Sequence, residues 1–128
     1  MTPKRILVVD DEIHIRAVLQ ACLEDLAGWQ VLMASSGEEC LNLAAIESLD
    51  AILLDVSMPG MDGIATVKTL KQHPIAHGIP VAFLTARVQP DDQAQFADLG
   101  ISGVITKPFD PLTLIQEIEQ TFGWSDRR

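Results

Sequence analysis

The chain has 128 residues, 48% of them hydrophobic and 21% charged. That is enough for one domain able to bury about two thirds of its unfolded surface, and it excludes a disordered chain or a small disulfide scaffold. With 9 Lys and Arg against 18 Asp and Glu, the net charge is −9, so neither a nucleic-acid backbone nor an anionic membrane surface is an expected partner of this chain by itself.

The apolar run Ile6-Leu7-Val8-Val9 predicts a buried strand that ends in Asp10, Asp11 and Glu12. It is too short for a signal peptide or a membrane span, and no later run approaches about 18 apolar residues. Ile15, Val18, Leu19, Cys22, Leu23 and Leu26 lie on one face of a helix, which Gly28 stops. Gln30 to Ala34 reads as a second strand, and Ser36 with Glu39 as a capping box opening a helix over about 36–48. Ala51 to Leu54 is a third strand, the Pro- and Gly-bearing segment from Met58 to Gly63 is a loop, and a helix follows over about 63–72. Val81 to Leu84 is a fourth strand, followed by a helix over about 91–99 closed by Gly100. Gly103 to Thr106 is a fifth strand, and Asp110-Pro111 opens a last helix that reaches Phe122. Cys22 and Cys40 fall within helical patterns and are expected to be buried, reduced thiols of a cytoplasmic protein. Trp29 and Trp124 are expected to pack near helix ends, and Gly123 to Arg128 to form a frayed tail.

Five strands alternate with five helices, and the strands are continuously apolar. The fold class is therefore α/β, a single (βα)5 doubly wound parallel sheet with both faces covered. Ligands of such sheets sit beyond the carboxyl ends of the strands. Asp10, Asp11 and Glu12 follow the first strand, Asp55 the third, Thr85 the fourth and Lys107 the fifth. Each alone reads as a cap, a turn or a solvated loop; together, at one sheet edge, they read as a site. Crowded carboxylates take up a proton or bind a cation. Oxygen ligands without His or Cys suit Mg2+ or Mn2+, and Mg2+ commonly shares a phosphate oxygen. Lys and Thr can hold a phosphoryl group, and an Asp can accept one as an aspartyl-phosphate.

Four ordered segments carry a resemblance to a known family: Ile6 to Glu12, Leu54 to Gly63, Phe83 to Arg87 and Lys107-Pro108-Phe109. The chain resembles the receiver domain of bacterial two-component response regulators over about residues 4–122. The resemblance implies a flavodoxin-like fold with strand order 2-1-3-4-5, and one receiver domain over 1–128 with a flexible tail at 123–128. It implies Asp55 as the phospho-accepting residue, Asp11 as a direct Mg2+ ligand and Asp10 as the acid holding metal-bound water. Ser57 stands where a backbone carbonyl completes the metal site. Thr85 resembles the switch hydroxyl and Lys107 the lysine that pairs with the phosphoryl group. The bond before Pro108 is usually cis in the family. Ser57 and Arg87 occupy the variable positions two residues after Asp55 and Thr85 and are expected to tune the lifetime of the phosphoryl group. The implied donor is a sensor histidine kinase or a histidine phosphotransfer protein, and the implied output is a further protein bound in one state. The expected state is a monomer or a weak dimer linked to phosphorylation. Such a protein is no enzyme beyond its own phosphorylation and dephosphorylation. The family usually carries Tyr or Phe three residues before the lysine. Here that residue is Val104, and the chain has no Tyr.

Three other readings compete. An aspartate-based phosphatase of the haloacid-dehalogenase type needs a second acid two residues after Asp55, where Ser57 stands. A flavin or dinucleotide binder needs a Gly-rich or Ser/Thr-rich phosphate loop after the first strand, where three acids stand. A non-phosphorylated receiver-like scaffold is the remaining alternative.

Overall fold

The apolar runs pair side by side into five parallel strands, β1 (Arg5–Val9), β2 (Gln30–Ala34), β3 (Ala51–Asp55), β4 (Val81–Thr85) and β5 (Gly103–Thr106). The helices between them are α1 (Ile13–Asp25), α2 (Gly37–Ile46), α3 (Gly63–Gln72), α4 (Pro90–Asp98) and α5 (Pro111–Phe122). The computed structural model describes residues 3–56, 62–86 and 90–124, with the backbone alone at 90–93. The sheet order is β2-β1-β3-β4-β5, the order the family resemblance implies. β1 and β3 lie adjacent at its centre, with Leu7 aligned to Ile52 and Val9 to Leu54.

Strand alternation divides the core in two. Ile6, Val8, Leu53, Leu84 and Ile105 face α1 and α5, where Leu19, Leu23, Leu114 and Ile118 cover them. Leu7, Val9, Leu54, Val81 and Phe83 face the opposite way, toward Cys40 and Ala44 of α2, Val67 and Leu70 of α3, and Phe96 of α4. β1, β3 and β4 are covered on both sides, which is why they read as unbroken apolar runs. Both cysteines are buried and free, and burial pushes the Cys40 thiol up to about 12. Among the described residues no helix is long and apolar enough to cross a membrane.

The helix ends follow local chemistry. α1 stops before Gly28, whose φ of 74° turns the chain while its N–H donates to the Glu24 carbonyl. The Ser36 hydroxyl accepts the Glu39 N–H at 3.1 Å and caps α2. The Glu39 carboxylate reaches one residue further back than a capping box requires, accepting the Ser35 N–H at 2.6 Å and the Ser35 hydroxyl at 3.0 Å. These bonds hold its pKa below the usual carboxylate value, with the Arg16 charge adding to them. α2 ends at Ile46 rather than near 48, where the Arg5 guanidinium takes the Ser48 carbonyl at 2.6 Å and the Glu47 carboxylate at 3.0 Å. A 3-10 turn at Ala76–Gly78, absent from the sequence reading, is held by His73 Nδ1, which accepts the Ile75 and Ala76 N–H groups at 3.1 and 3.2 Å. At the other end of the chain Trp124 packs edge-on against Trp29, with ring centroids 5.3 Å apart, and stacks on Phe122 at 5.2 Å.

Ser36→Ala removes the cap of α2 and is expected to cost about 1 kcal/mol. Urea unfolding followed by circular dichroism should show a lower midpoint at an unchanged slope.

Candidate functional site

Beyond the last strand residues, backbone hydrogen bonds tie the carboxyl end of β1 to β2, of β3 to β4 and of β5 to β4. The Asp10 N–H donates to the Ala34 carbonyl at 3.1 Å, the Val56 N–H to the Leu84 carbonyl at 3.2 Å, and the Lys107 N–H to the Thr85 carbonyl at 2.7 Å. The residues that follow the strands are thus fixed by the same ladder that builds the sheet. By alternation Asp10, Asp55 and Lys107 point to the α1 and α5 side.

Asp10, Asp11 and Asp55 each offer a carboxylate oxygen, and these oxygens lie within 4.8 Å of one another. Asp10 and Asp55 are buried and Asp11 is exposed. Lys107 Nζ lies 2.9 Å from Asp10 Oδ2 and 3.7 Å from Asp55 Oδ1. The other Asp10 oxygen accepts the Glu12 N–H at 2.9 Å. Burial pulls the Lys107 pKa down, but the Asp10 hydrogen bond and the charges of Asp55, Asp10 and Glu12 outweigh it, so the amine stands above its ordinary value. It is charged throughout the physiological range. Two carboxylates at this spacing repel by about 3 kcal/mol at an effective dielectric of 20. Three carboxylates and one ammonium leave two negative charges, the complement of one divalent cation. An all-oxygen donor set of one exposed and two buried carboxylates fits Mg2+ or Mn2+.

The peptide bond between Lys107 and Pro108 is cis, as the resemblance implies. Thr85 closes β4, buried, in register with Thr106 of β5. Ser57 and Arg87 lie outside the described residues. The structure therefore brings Asp10, Asp11, Asp55 and Lys107 together and sets Thr85 on the neighbouring strand end. Glu12 opens α1 without a side-chain cap bond, so the plain capping role that would suit it alone is not the one it takes.

Two supporting residues escaped the sequence reading. Arg16, one turn into α1, donates to the Asp10 carbonyl at 2.7 Å and fixes the turn that carries the acids. Gly63 donates to the Val56 carbonyl at 2.9 Å. A Cβ there would fall 2.8 Å from Val56 Cα and 2.9 Å from the Asp55 carbonyl oxygen. The sequence signals were a basic residue one turn after Glu12 and, for Gly63, its place just inside the Asp62 cap and at the end of the segment Leu54 to Gly63.

The response regulator receiver domain family matches residues 6–119. The alkaline phosphatase synthesis transcriptional regulatory protein PhoP of Bacillus subtilis is 44% identical over 108 residues, covering 84% of this chain and 44% of that protein. The chain spans about half the length of the curated relatives it matches. Among solved structures, the Vibrio cholerae chemotaxis protein CheY4 superposes with a TM-score of 0.88 at 32% identity, covering 94% of this chain and 99% of that one. The receiver domain of sensor histidine kinase PA1611 from Pseudomonas aeruginosa PAO1 has a TM-score of 0.83 at 25% identity, covering 95% and 99%, and was solved with a magnesium ion coordinated in its active site cleft. The chain belongs to the response regulator receiver domain family, the receiver module of two-component signalling.

The crowding of carboxylates makes a direct prediction. Without divalent cations, Asp11→Asn should be more stable than the wild type, because one repelling charge is gone. Adding Mg2+ should raise the melting temperature of the wild type and leave that of Asp11→Asn nearly unchanged, as differential scanning calorimetry would read.

Proposed function

We propose that this receiver domain accepts a phosphoryl group on Asp55 and holds Mg2+, or Mn2+, through Asp10, Asp11, Asp55 and the Ser57 carbonyl. The observation that carries the reading is the meeting of three carboxylates within 4.8 Å, with one ammonium 2.9 and 3.7 Å from two of them. The magnesium ion in the PA1611 receiver supports the same use of the acids here. An Asp55 oxygen attacks the phosphorus of a phosphohistidine. The P–N bond breaks, the imidazole leaves with its electron pair, and an acyl phosphate forms. Water later attacks the phosphorus, and the carboxylate is regenerated with release of phosphate. Lys107 and the Thr85 hydroxyl stabilise the charge on the phosphoryl oxygens. The bound cation supplies charge neutralisation at those oxygens and offsets the repulsion of the acids.

The donor in this reading is a sensor histidine kinase or a histidine phosphotransfer protein. Ile13 and Leu112, 65% and 79% exposed, open α1 and α5 on the same side of the sheet and at the same edge as the acids, which suits a protein donor with apolar contacts. Residues 1–128 act as one receiver unit with its core at about 4–122. It cycles only its own phosphoryl group, works in the cytoplasm as a monomer or a weak phosphorylation-linked dimer, and passes its state to a further protein rather than to nucleic acid or membrane.

Incubation with Mg2+ and a small phosphodonor should add one phosphoryl group to the intact mass, absent from Asp55→Asn and absent when the metal is chelated. A chain that gains no mass under conditions that label a receiver of known phosphorylation would favour a non-phosphorylated scaffold. Lys107→Ala separates two roles. Without the amine the site is more negative, so calorimetric titration should show tighter Mg2+ binding, while the rate of mass gain should fall by about 100-fold for loss of one transition-state contact.

A further inference from the structure

Thr85 and Phe83 are two residues apart on β4, so their side chains share the side of the sheet that α4 covers. Phe83 is fully buried, and its ring meets that of Phe96 edge to face, with centroids 4.8 Å apart and planes at 81°. Among the α4 side chains described, Phe96 alone is buried; Ala94, Gln95, Ala97 and Asp98 are exposed. Among these described side chains, it is the Phe96 ring that meets the sheet. Val104 is aligned with Phe83 on β5 and packs into the same cluster, half-buried. Its short branched side chain has no ring to carry a motion beyond its neighbours. The ring that meets Phe83 of β4 is carried by α4 itself.

We propose that Phe96 is a positioning residue that links Thr85 to α4, a link that rests on Asp55 accepting a phosphoryl group. Thr85 turning toward a phosphoryl group at the sheet edge leaves volume above Phe83. Packed interiors do not keep such volume open, because the atoms lining it lose their contacts. The two rings close it, and since Phe96 belongs to α4, the helix moves with the ring. The link is reciprocal: a partner that binds the shifted α4 strengthens phosphoryl retention at Asp55 by the same factor by which phosphorylation strengthens partner binding.

The test uses the 15N-labelled protein with Mg2+ and beryllofluoride, a stable mimic of a phosphoryl group on a carboxylate. The 19F signal of the bound mimic reports occupancy of Asp55, and the amide shifts of residues 94–98 report α4. In the wild type both should respond. Phe96→Leu should keep the 19F signal but lose at least half of the α4 shift, whereas Phe96→Tyr, which keeps the ring, should retain it. Wild-type α4 shifts in Phe96→Leu would overturn the link. Absence of the 19F signal from the wild type would overturn the reading of Asp55 and the link with it, so the two failures are told apart. Should Phe96→Leu lose the dispersed spectrum of a folded chain, Phe83→Leu carries the same comparison from the other ring.

Discussion

The edge of this sheet is built around a repulsion. Asp10, Asp11 and Asp55 present carboxylate oxygens within 4.8 Å of one another, and Lys107 Nζ, 2.9 Å from Asp10, offsets only part of their charge. Removing a charge would relieve the fold, so the cluster costs stability in the absence of a cation. What keeps it in place is the sheet itself. Ladder hydrogen bonds from Asp10, Val56 and Lys107 continue past the strand ends, and Gly63 lets the backbone of α3 close against Asp55. Burial of Asp10 and Asp55 raises the cost of leaving them unpaired, and by the same logic strengthens their hold on a cation or on a group that brings one.

The rest of the molecule follows from holding that edge rigid. Two apolar layers grip the central strands from both sides. α1 and α5 cover the side toward which the acids and Lys107 point, and α2, α3 and α4 cover the side that Thr85 shares with Phe83. The site thus straddles the two layers: its charge chemistry belongs to one, its hydroxyl to the other. The proposed route from Asp55 to α4 crosses that division, passing from Thr85 to the ring pair of Phe83 and Phe96.

Much of this was legible in the sequence because strong local signals agreed. Continuous apolar runs marked the strands, and Gln30 to Ala34 and Gly103 to Thr106 coincide with β2 and β5. The cluster was legible because Asp10, Asp55 and Thr85 follow apolar runs directly, and Asp11 and Lys107 stand one residue further on. Features made by contacts distant in sequence were not. α2 ends early because Arg5, more than forty residues away, takes the Ser48 carbonyl and the Glu47 carboxylate. The 3-10 turn at Ala76–Gly78 depends on an imidazole accepting two backbone N–H groups, which leaves no hydrophobic period. Arg16 and Gly63 support the site through backbone carbonyls and close approach, and a sequence records neither. Val104 was legible as a departure from the family, but the ring pair beside it was not, since Phe83 and Phe96 come together only when α4 folds back on β4.

A cation held by the acid cluster would join Asp10 and Asp11 to Asp55. The most direct measurement is a crystal structure of the protein grown with Mn2+, with anomalous diffraction recorded at the manganese edge. One anomalous peak is expected, bonded to oxygens of Asp11 and Asp55, with Asp10 beside it and Lys107 still within reach of the carboxylates. Crystals soaked to saturation with Mn2+ that show no peak between these residues, or a peak only elsewhere on the surface, would contradict it.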